Sequence, residues 1–139
     1  LVGPGGGLLI GVDLKKDPAV LNAAYHDARG VTAAFNLNLL ARMNRELGAD
    51  FDVTGFRHRA FYHAELGRVE MHLESVREQT VRLAGRTVRF AAGETVHTEN
   101  SYKYAPAEFA ALAAGAGFRA VAGWADPDGL FGIQLFDLP

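Results

Sequence analysis

Hydrophobic residues along this chain recur with the spacing of helices in some segments and with the spacing of strands in others. After a glycine-rich start, an apolar run at 8–14 predicts a buried strand of the parallel type, apolar on both faces. Helical spacing of apolar residues then predicts helices at 18–29 and 33–46. Gly30 is expected to end the first helix, Thr32 to cap the second and Gly48 to end it.

From Gly55 onwards the pattern becomes that of strands. Extended segments are predicted at 56–65, 68–75, 79–83, 87–91 and 94–102, joined by short turns as an antiparallel meander. In the second segment, Val69, Met71 and Leu73 alternate with polar residues. The alternation predicts one dry face, in which Met71 fills space.

The last third returns to mixed structure. A helix is predicted at 106–116, followed by strands at 118–124 and 130–138 around a turn rich in Asp, Pro and Gly. The whole order is strand, two helices, meander, helix and two strands. It predicts an α/β fold: the closing portion of a doubly wound sheet into which a helix-plus-meander unit is inserted.

Composition and charge limit the kinds of molecule that this chain is expected to bind and the chemistry it is expected to carry out. The 139 residues, 49% of them hydrophobic, are enough for one domain with a core, and a formal charge of −2 without a basic stripe argues against a nucleic-acid partner. No apolar run approaches the roughly 20 residues of a membrane span. Cysteine is absent, which excludes thiol chemistry and fits a cytoplasmic location.

The glycine cluster at 3–7 is not expected to bind a nucleotide. Phosphate-binding loops follow a strand and open a helix, whereas these glycines precede a strand.

The most informative polar pattern is the segment 98–101. In an extended segment Glu99 and Ser101 point to the same side, which places a carboxylate beside a hydroxyl. Such a pair suits a ligand that donates hydrogen bonds and carries positive charge, such as an imidazole, an amine or a guanidinium. The alternative is a solvated strand face.

Histidines on the predicted strands raise a second possibility. They lie close in sequence to several glutamates, so a metal site is conceivable. The histidines concerned are His58, His63, His72 and His97, and the glutamates are Glu65, Glu70, Glu74 and Glu99. No pair has a dedicated ligand spacing, so no metal is predicted; a noncatalytic small-molecule-binding module remains the alternative.

Several ordered motifs carry a family resemblance that covers essentially the whole chain. They lie at 11–18, 23–36, 44–51, 98–101, 116–118 and 124–127. In these segments the chain resembles the carboxyl-terminal part of the histidine-specific Nα-methyltransferases. That family uses S-adenosylmethionine to trimethylate the α-amino group of histidine, giving hercynine on the way to ergothioneine.

The resemblance implies a fold, a substrate and a set of site residues. The fold is the C-terminal portion of a Rossmann-like methyltransferase sheet with an inserted substrate-binding domain: 1–16 and 105–139 would belong to the core, and 17–104 to the insertion. Tyr25 would bond the substrate carboxylate, Phe35 and Met71 would form apolar walls, and Glu99 with Ser101 would hold the imidazole. No catalytic, cofactor-binding or metal-binding residue is assigned.

The same resemblance limits what this chain is expected to do alone. The S-adenosylmethionine site is expected in the family's amino-terminal half, so the 139 residues by themselves are expected to be inactive. Self-association through an exposed sheet edge is a further expectation. A relative that acts on another amino acid is the alternative substrate assignment, with Met71 and Glu99 the first positions to examine.

Overall fold

The computed structural model describes residues 2–139 and shows a mixed α/β chain. Contacts divide it into two compact units. One comprises Leu1–Asp17, Ala64–Arg68 and Tyr102–Pro139, and the other comprises Pro18–His63 and Val69–Ser101. The assignment of such parts to a methyltransferase core and a substrate insertion stays a prediction.

Three α-helices and eight strands occur in the described residues. The helices are α1 (Pro18–Tyr25), α2 (Val31–Leu47) and α3 (Pro106–Gly115). The strands are β1 (Gly7–Asp13), β2 (Phe56–His63), β3 (Arg68–Ser75), β4 (Gln79–Leu83), β5 (Arg86–Phe90), β6 (Thr95–Tyr102), β7 (Arg119–Ala125) and β8 (Phe131–Asp137). No helix within residues 2–139 is both long and apolar enough to cross a membrane.

The first unit contains a sheet with the strand order β1-β8-β7. Both pairings are antiparallel, and α3 covers one face, where Phe109 packs against Phe136 and Gln134 bonds the Pro106 carbonyl. Residues on the other face stay exposed, including Leu9 and Phe131. The predicted strand at 8–14 therefore exists, but the strand beside it is the antiparallel β8, and its one parallel pairing among the described residues is the single bridge between Leu14 and Tyr104.

The second unit contains most of a sheet with the order β2-β3-β6 and, separately, the hairpin β4-β5. The predicted meander is thus divided, because β6 pairs with β3 and leaves β4 and β5 as a two-stranded sheet of their own. The tight β4-β5 turn uses Ala84 and Gly85, which both have positive φ.

Two hydrophobic clusters form the core of this second unit. One lies between α2 and the strands and contains the buried residues Leu40, Phe51, Phe56, Leu73, Val81 and Phe90. The other joins α1 to the β2-β3 pair and contains Leu21, Ala60, Val69 and Met71.

The prediction of a single dry face on β3 is wrong. Val69 and Met71 are buried as predicted, but Glu70 and Glu74 on the polar side are buried too. Glu70 accepts a hydrogen bond from His72 Nε2, and Glu74 pairs with Arg57 at 2.5 Å. Partners on neighbouring positions and strands therefore cover carboxylates that the alternation assigned to solvent.

Candidate functional site

The predicted site residues come from four elements of the second unit. Tyr25 is the last residue of α1, Phe35 lies in the second turn of α2, and Met71 lies in β3. Glu99 and Ser101 lie near the end of β6. The fold thus brings residues up to 76 positions apart in the sequence into contact within one unit.

Four of these residues line one cavity. It has a volume of about 310 Å³ and is bounded by Tyr25, Val31, Thr32, Phe35, Met71 and Glu99. This size lies at the lower end of the range for small-molecule sites. Ser101 joins the group through Tyr25, whose hydroxyl donates to Ser101 Oγ at 2.7 Å.

A smaller cavity of about 180 Å³ shares three of the same walls. Phe35, Met71 and Glu99 border both spaces. The remaining lining is largely polar and comprises Asn36, Asn38, Leu39, Arg42 and Thr98. Glu99 therefore lies where the two cavities adjoin.

The walls of the larger cavity differ in chemistry. Met71 is 3% exposed, whereas Phe35 is 65% exposed, so one apolar wall is fixed in the core and the other is an accessible ring on a helix surface. Glu99 supplies hydrogen-bond acceptors, while Tyr25 and Ser101 supply hydroxyls. The arrangement suits a small ligand that has an apolar body and several N–H donors.

Side-chain hydrogen bonds restrain β6, and one of them reaches β3. Thr98 Oγ1 donates to the Met71 carbonyl at 2.9 Å, and the His97 ring lies 3.1 Å from the Glu99 carbonyl. The backbone that carries Glu99 is thereby tied to the strand that carries Met71.

The first turn of α2 is capped from the preceding loop. The Asp27 carboxylate accepts the backbone N–H of Val31 at 2.9 Å and of Thr32 at 2.8 Å, and Gly30 occupies the N-cap with a φ of 67°. The bonds from Thr32 and Val31 lower the pKa of Asp27 to about 2. Since Val31 and Thr32 line the cavity, this cap also shapes the site.

Sequence reasoning missed part of the lining. Val31, Thr32 and Asn36 were not assigned to the site, and α2 was expected to begin at 33 with Thr32 as its cap. Position Thr98 offered the one available signal, because it belongs to the polar segment that singled out Glu99.

One group of potential metal ligands occurs among the described residues. Glu70, His72 and His97 bring ligand atoms within 4.8 Å of one another. The two imidazoles, however, are stacked with centroids 4.5 Å apart and planes inclined by only 16°. Ring nitrogens bind metals in the ring plane, so two nearly parallel rings do not direct their lone pairs to one point.

These features outline a cavity of small-molecule size in a mixed α/β protein. The chain belongs to the family described as histidine-specific methyltransferase, SAM-dependent, whose profile matches residues 1–138.

Similar curated proteins come from bacteria and fungi. The chain is 49% identical over 134 residues to the histidine N-alpha-methyltransferase of Mycolicibacterium smegmatis and 47% identical to that of Mycobacterium tuberculosis, covering 95% of this chain in each case. It is 32% identical over 130 residues, 89% of the chain, to ergothioneine biosynthesis protein 1 of Neurospora crassa, of which it covers 14%. It spans 42% of the length of each bacterial relative.

Proposed function

We propose that this chain is the histidine-binding part of an S-adenosylmethionine-dependent L-histidine Nα-methyltransferase that forms hercynine. The observation that carries the proposal is the cavity in which Tyr25, Phe35, Met71 and Glu99 meet, in a chain of this family. The names of the bacterial relatives support histidine as the substrate, and that of the fungal relative supports a place in ergothioneine biosynthesis.

In this proposal the cavity binds histidine by its two polar ends. The Tyr25 hydroxyl bonds the substrate carboxylate, while Glu99 and Ser101 bond the imidazole nitrogens. Phe35 and Met71 pack against the ring and the methylene between those ends. An apolar amino acid of similar shape would leave the Glu99 carboxylate without its ring partner, which disfavours that ligand.

In this binding step the Tyr25 hydroxyl exchanges one hydrogen-bond acceptor, Ser101, for another, the substrate carboxylate. A phenol has one proton, and in this structure Tyr25 donates it to Ser101 Oγ. When Tyr25 donates to a carboxylate instead, one acceptor position of Ser101 Oγ is released for an imidazole N–H. Binding of the substrate carboxylate by Tyr25 thus releases an acceptor on Ser101 for the imidazole.

The methyl donor is proposed to bind in the part of the full-length protein that corresponds to the remaining length of the relatives. Within residues 2–139, the segment that follows β1 and opens α1 is Leu14–Asp17, which contains no glycine to cradle a nucleotide. S-adenosylmethionine supplies the methyl group when bound. The residues of this chain orient the histidine amine towards it, which is the main catalytic requirement of such a transfer.

The fold proposal follows the same division. The β1-β8-β7 sheet with α3 is proposed as the closing part of a Rossmann-like core, and the unit that carries the cavity as the substrate-binding insertion. A cytoplasmic location and self-association through a sheet edge stay predictions.

Methyl transfer tests the proposal directly. The full-length protein that contains this chain is incubated with methyl-labelled S-adenosylmethionine and L-histidine, and the purified 139-residue chain is assayed in parallel. We expect labelled hercynine from the full-length protein and none from the chain alone. Histidine binding by the full-length protein without transfer would favour a noncatalytic binding protein, and transfer to another amino acid would reassign the substrate.

A further inference from the structure

A buried amide and a histidine link the backbones behind the cavity walls. Asn36 in α2 is 3% exposed, and its Nδ2 donates to His58 Nδ1 and to the His72 carbonyl, both at 3.0 Å. His58 Nε2 lies 3.0 Å from the Tyr25 carbonyl. Neither Asn36 nor His58 lines the 310 Å³ cavity; Asn36 borders the adjoining 180 Å³ cavity, and His58 borders neither.

The partners of His58 determine where its proton lies. A backbone carbonyl only accepts, so the Nε2 facing Tyr25 carries the hydrogen, and Nδ1 accepts from the Asn36 amide. His58 is therefore held as the neutral Nε2–H tautomer. The His26 ring packs edge-on against it at 5.5 Å and is itself bonded to the Ala60 carbonyl at 2.7 Å, which restrains the orientation of the His58 ring.

Each end of this network lies at, or one residue from, a predicted substrate contact. His58 holds the carbonyl of Tyr25 itself, Asn36 follows Phe35 in α2, and the carbonyl of His72 follows Met71 in β3. The network thus fixes three cavity walls relative to one another, on α1, α2 and β3.

We propose that Asn36 and His58 are positioning residues that set the spacing of the histidine cavity, an inference that rests on the proposed function. They act through Tyr25, Phe35 and Met71, and neither lines the 310 Å³ cavity in which the substrate is proposed to bind. Removing either link lets the end of α1 move relative to α2 and β3. The cavity is then no longer preorganised, and part of the binding free energy is spent on ordering it.

The chain offers a matched control on the same helix. Asn44 also makes two side-chain hydrogen bonds, donating to the Phe51 carbonyl and accepting from the Phe51 N–H, both at 2.8 Å, and it lines neither cavity. Asn44→Ala therefore removes a comparable number of bonds without touching the network. It separates a general loss of stability from a loss of cavity spacing.

The test compares histidine binding and turnover in the full-length protein. Asn36→Ala and His58→Phe should each raise the histidine dissociation constant and KM about tenfold, because buried hydrogen bonds are lost, while KM for S-adenosylmethionine stays within about twofold. Asn44→Ala should lower the denaturation midpoint and leave histidine KM unchanged. Histidine affinities in Asn36→Ala and His58→Phe equal to that of Asn44→Ala would overturn the inference.

A second measurement needs no variant. Nitrogen NMR of the wild-type protein should show His58 as the neutral Nε2–H tautomer both without histidine and at saturation with it. A protonated Nδ1 in either state would overturn the inference. Failure of the wild-type protein to bind histidine would instead refute the proposed function on which the inference rests, so the two failures are distinguishable.

Discussion

Met71 and Glu99 line the same cavity but differ in exposure. Met71 is 3% exposed and packs in the cluster formed with Leu21, Ala60 and Val69, so it contributes to folding as well as to the cavity wall. Glu99 is exposed on β6 and belongs to neither hydrophobic cluster. Substitutions at these two positions should therefore differ in their effect on stability.

Met71→Ala should lower the free energy of unfolding by about 2 to 4 kcal/mol, since it leaves a space in a packed core, and should also weaken histidine binding. Chemical denaturation and calorimetry measure the two effects. Met43→Ala is the matched control, because Met43 is only partly buried and packs on the other cluster. We expect a smaller loss of stability and unchanged histidine affinity in the control; unchanged affinity in Met71→Ala would contradict its place in the wall.

At the scale of elements, the loop between α1 and α2 decides the shape of the site. The periodicity predicted one helix to 29 and the next from 33, but α1 ends at Tyr25 and α2 starts at Val31. The reason is Asp27, which caps α2 from a non-helical position, with Gly30 in a left-handed conformation. Apolar spacing reports burial and does not reveal which polar side chain caps a helix.

Asp27→Asn should make stability less dependent on acid pH. The folded-state pKa of Asp27 is about 2 against an ordinary 3.8, so its stabilisation is complete above about pH 5 and is lost as the pH falls towards 2. Urea denaturation across this range should show a steeper loss of stability in the wild-type protein than in Asp27→Asn. The exposed Asp128→Asn is the control and should keep the wild-type slope; an equally steep loss in Asp27→Asn would contradict the capping role.

The first unit contains an ion pair between Asp13 and the buried side chain of Lys103. The Lys103 ammonium is 1% exposed and lies 2.7 Å from Asp13, which Lys16 also contacts. Burial alone would raise the pKa of Asp13, but the hydrogen bonds from Lys103 and Lys16 outweigh it and hold that pKa below its usual value. The pair ties the end of β1 to the segment after β6.

Asp13→Ala should cost about 3 kcal/mol of unfolding free energy, because it removes the carboxylate beside a buried ammonium. Lys103→Met should cost only about 1 kcal/mol, since Asp13 keeps Lys16 and is partly exposed. Thermal and urea denaturation at pH 7 measure both variants. A loss in Lys103→Met as large as that in Asp13→Ala would contradict this account.

Much of the element order was predictable because apolar periodicity directly reflects burial. Strands β3 and β4 have the predicted bounds, and α3 ends one residue earlier than predicted. The separation of β4-β5 from the other strands was not predictable, because which strands pair depends on contacts distant in sequence. The same holds for the Asn36 to His58 link, which spans 22 residues and has no local pattern.

At the scale of the whole molecule, the chain spans 42% of the bacterial relatives and carries a sheet with one covered face. The sequence of β1 predicted burial on both faces, yet Leu9 is 66% exposed, and Trp124 and Phe131 are also exposed in this sheet. Extended apolar surface of this kind is typical of contact areas. The apolar sequence of β1 therefore predicts that both faces of this sheet are covered, whereas α3 covers only one.

The site itself was predicted by resemblance more than by pattern. Alternation placed Glu99 beside Ser101, but their association with Tyr25, Phe35 and Met71 came from family likeness. The structure brings four of the five to one cavity and bonds Ser101 to Tyr25. Their roles towards a substrate stay a proposal.

Calorimetric titration of the full-length protein with L-histidine, in the wild type and in Glu99→Gln, tests the central claim most directly. The exposed Glu78→Gln is the matched control, since Glu78 lines neither cavity. We predict binding by the wild type and by Glu78→Gln, and binding about ten- to hundredfold weaker in Glu99→Gln, because a charged acceptor is lost. Histidine affinity in Glu99→Gln equal to that of the wild type, or no binding by the wild type, would contradict the account.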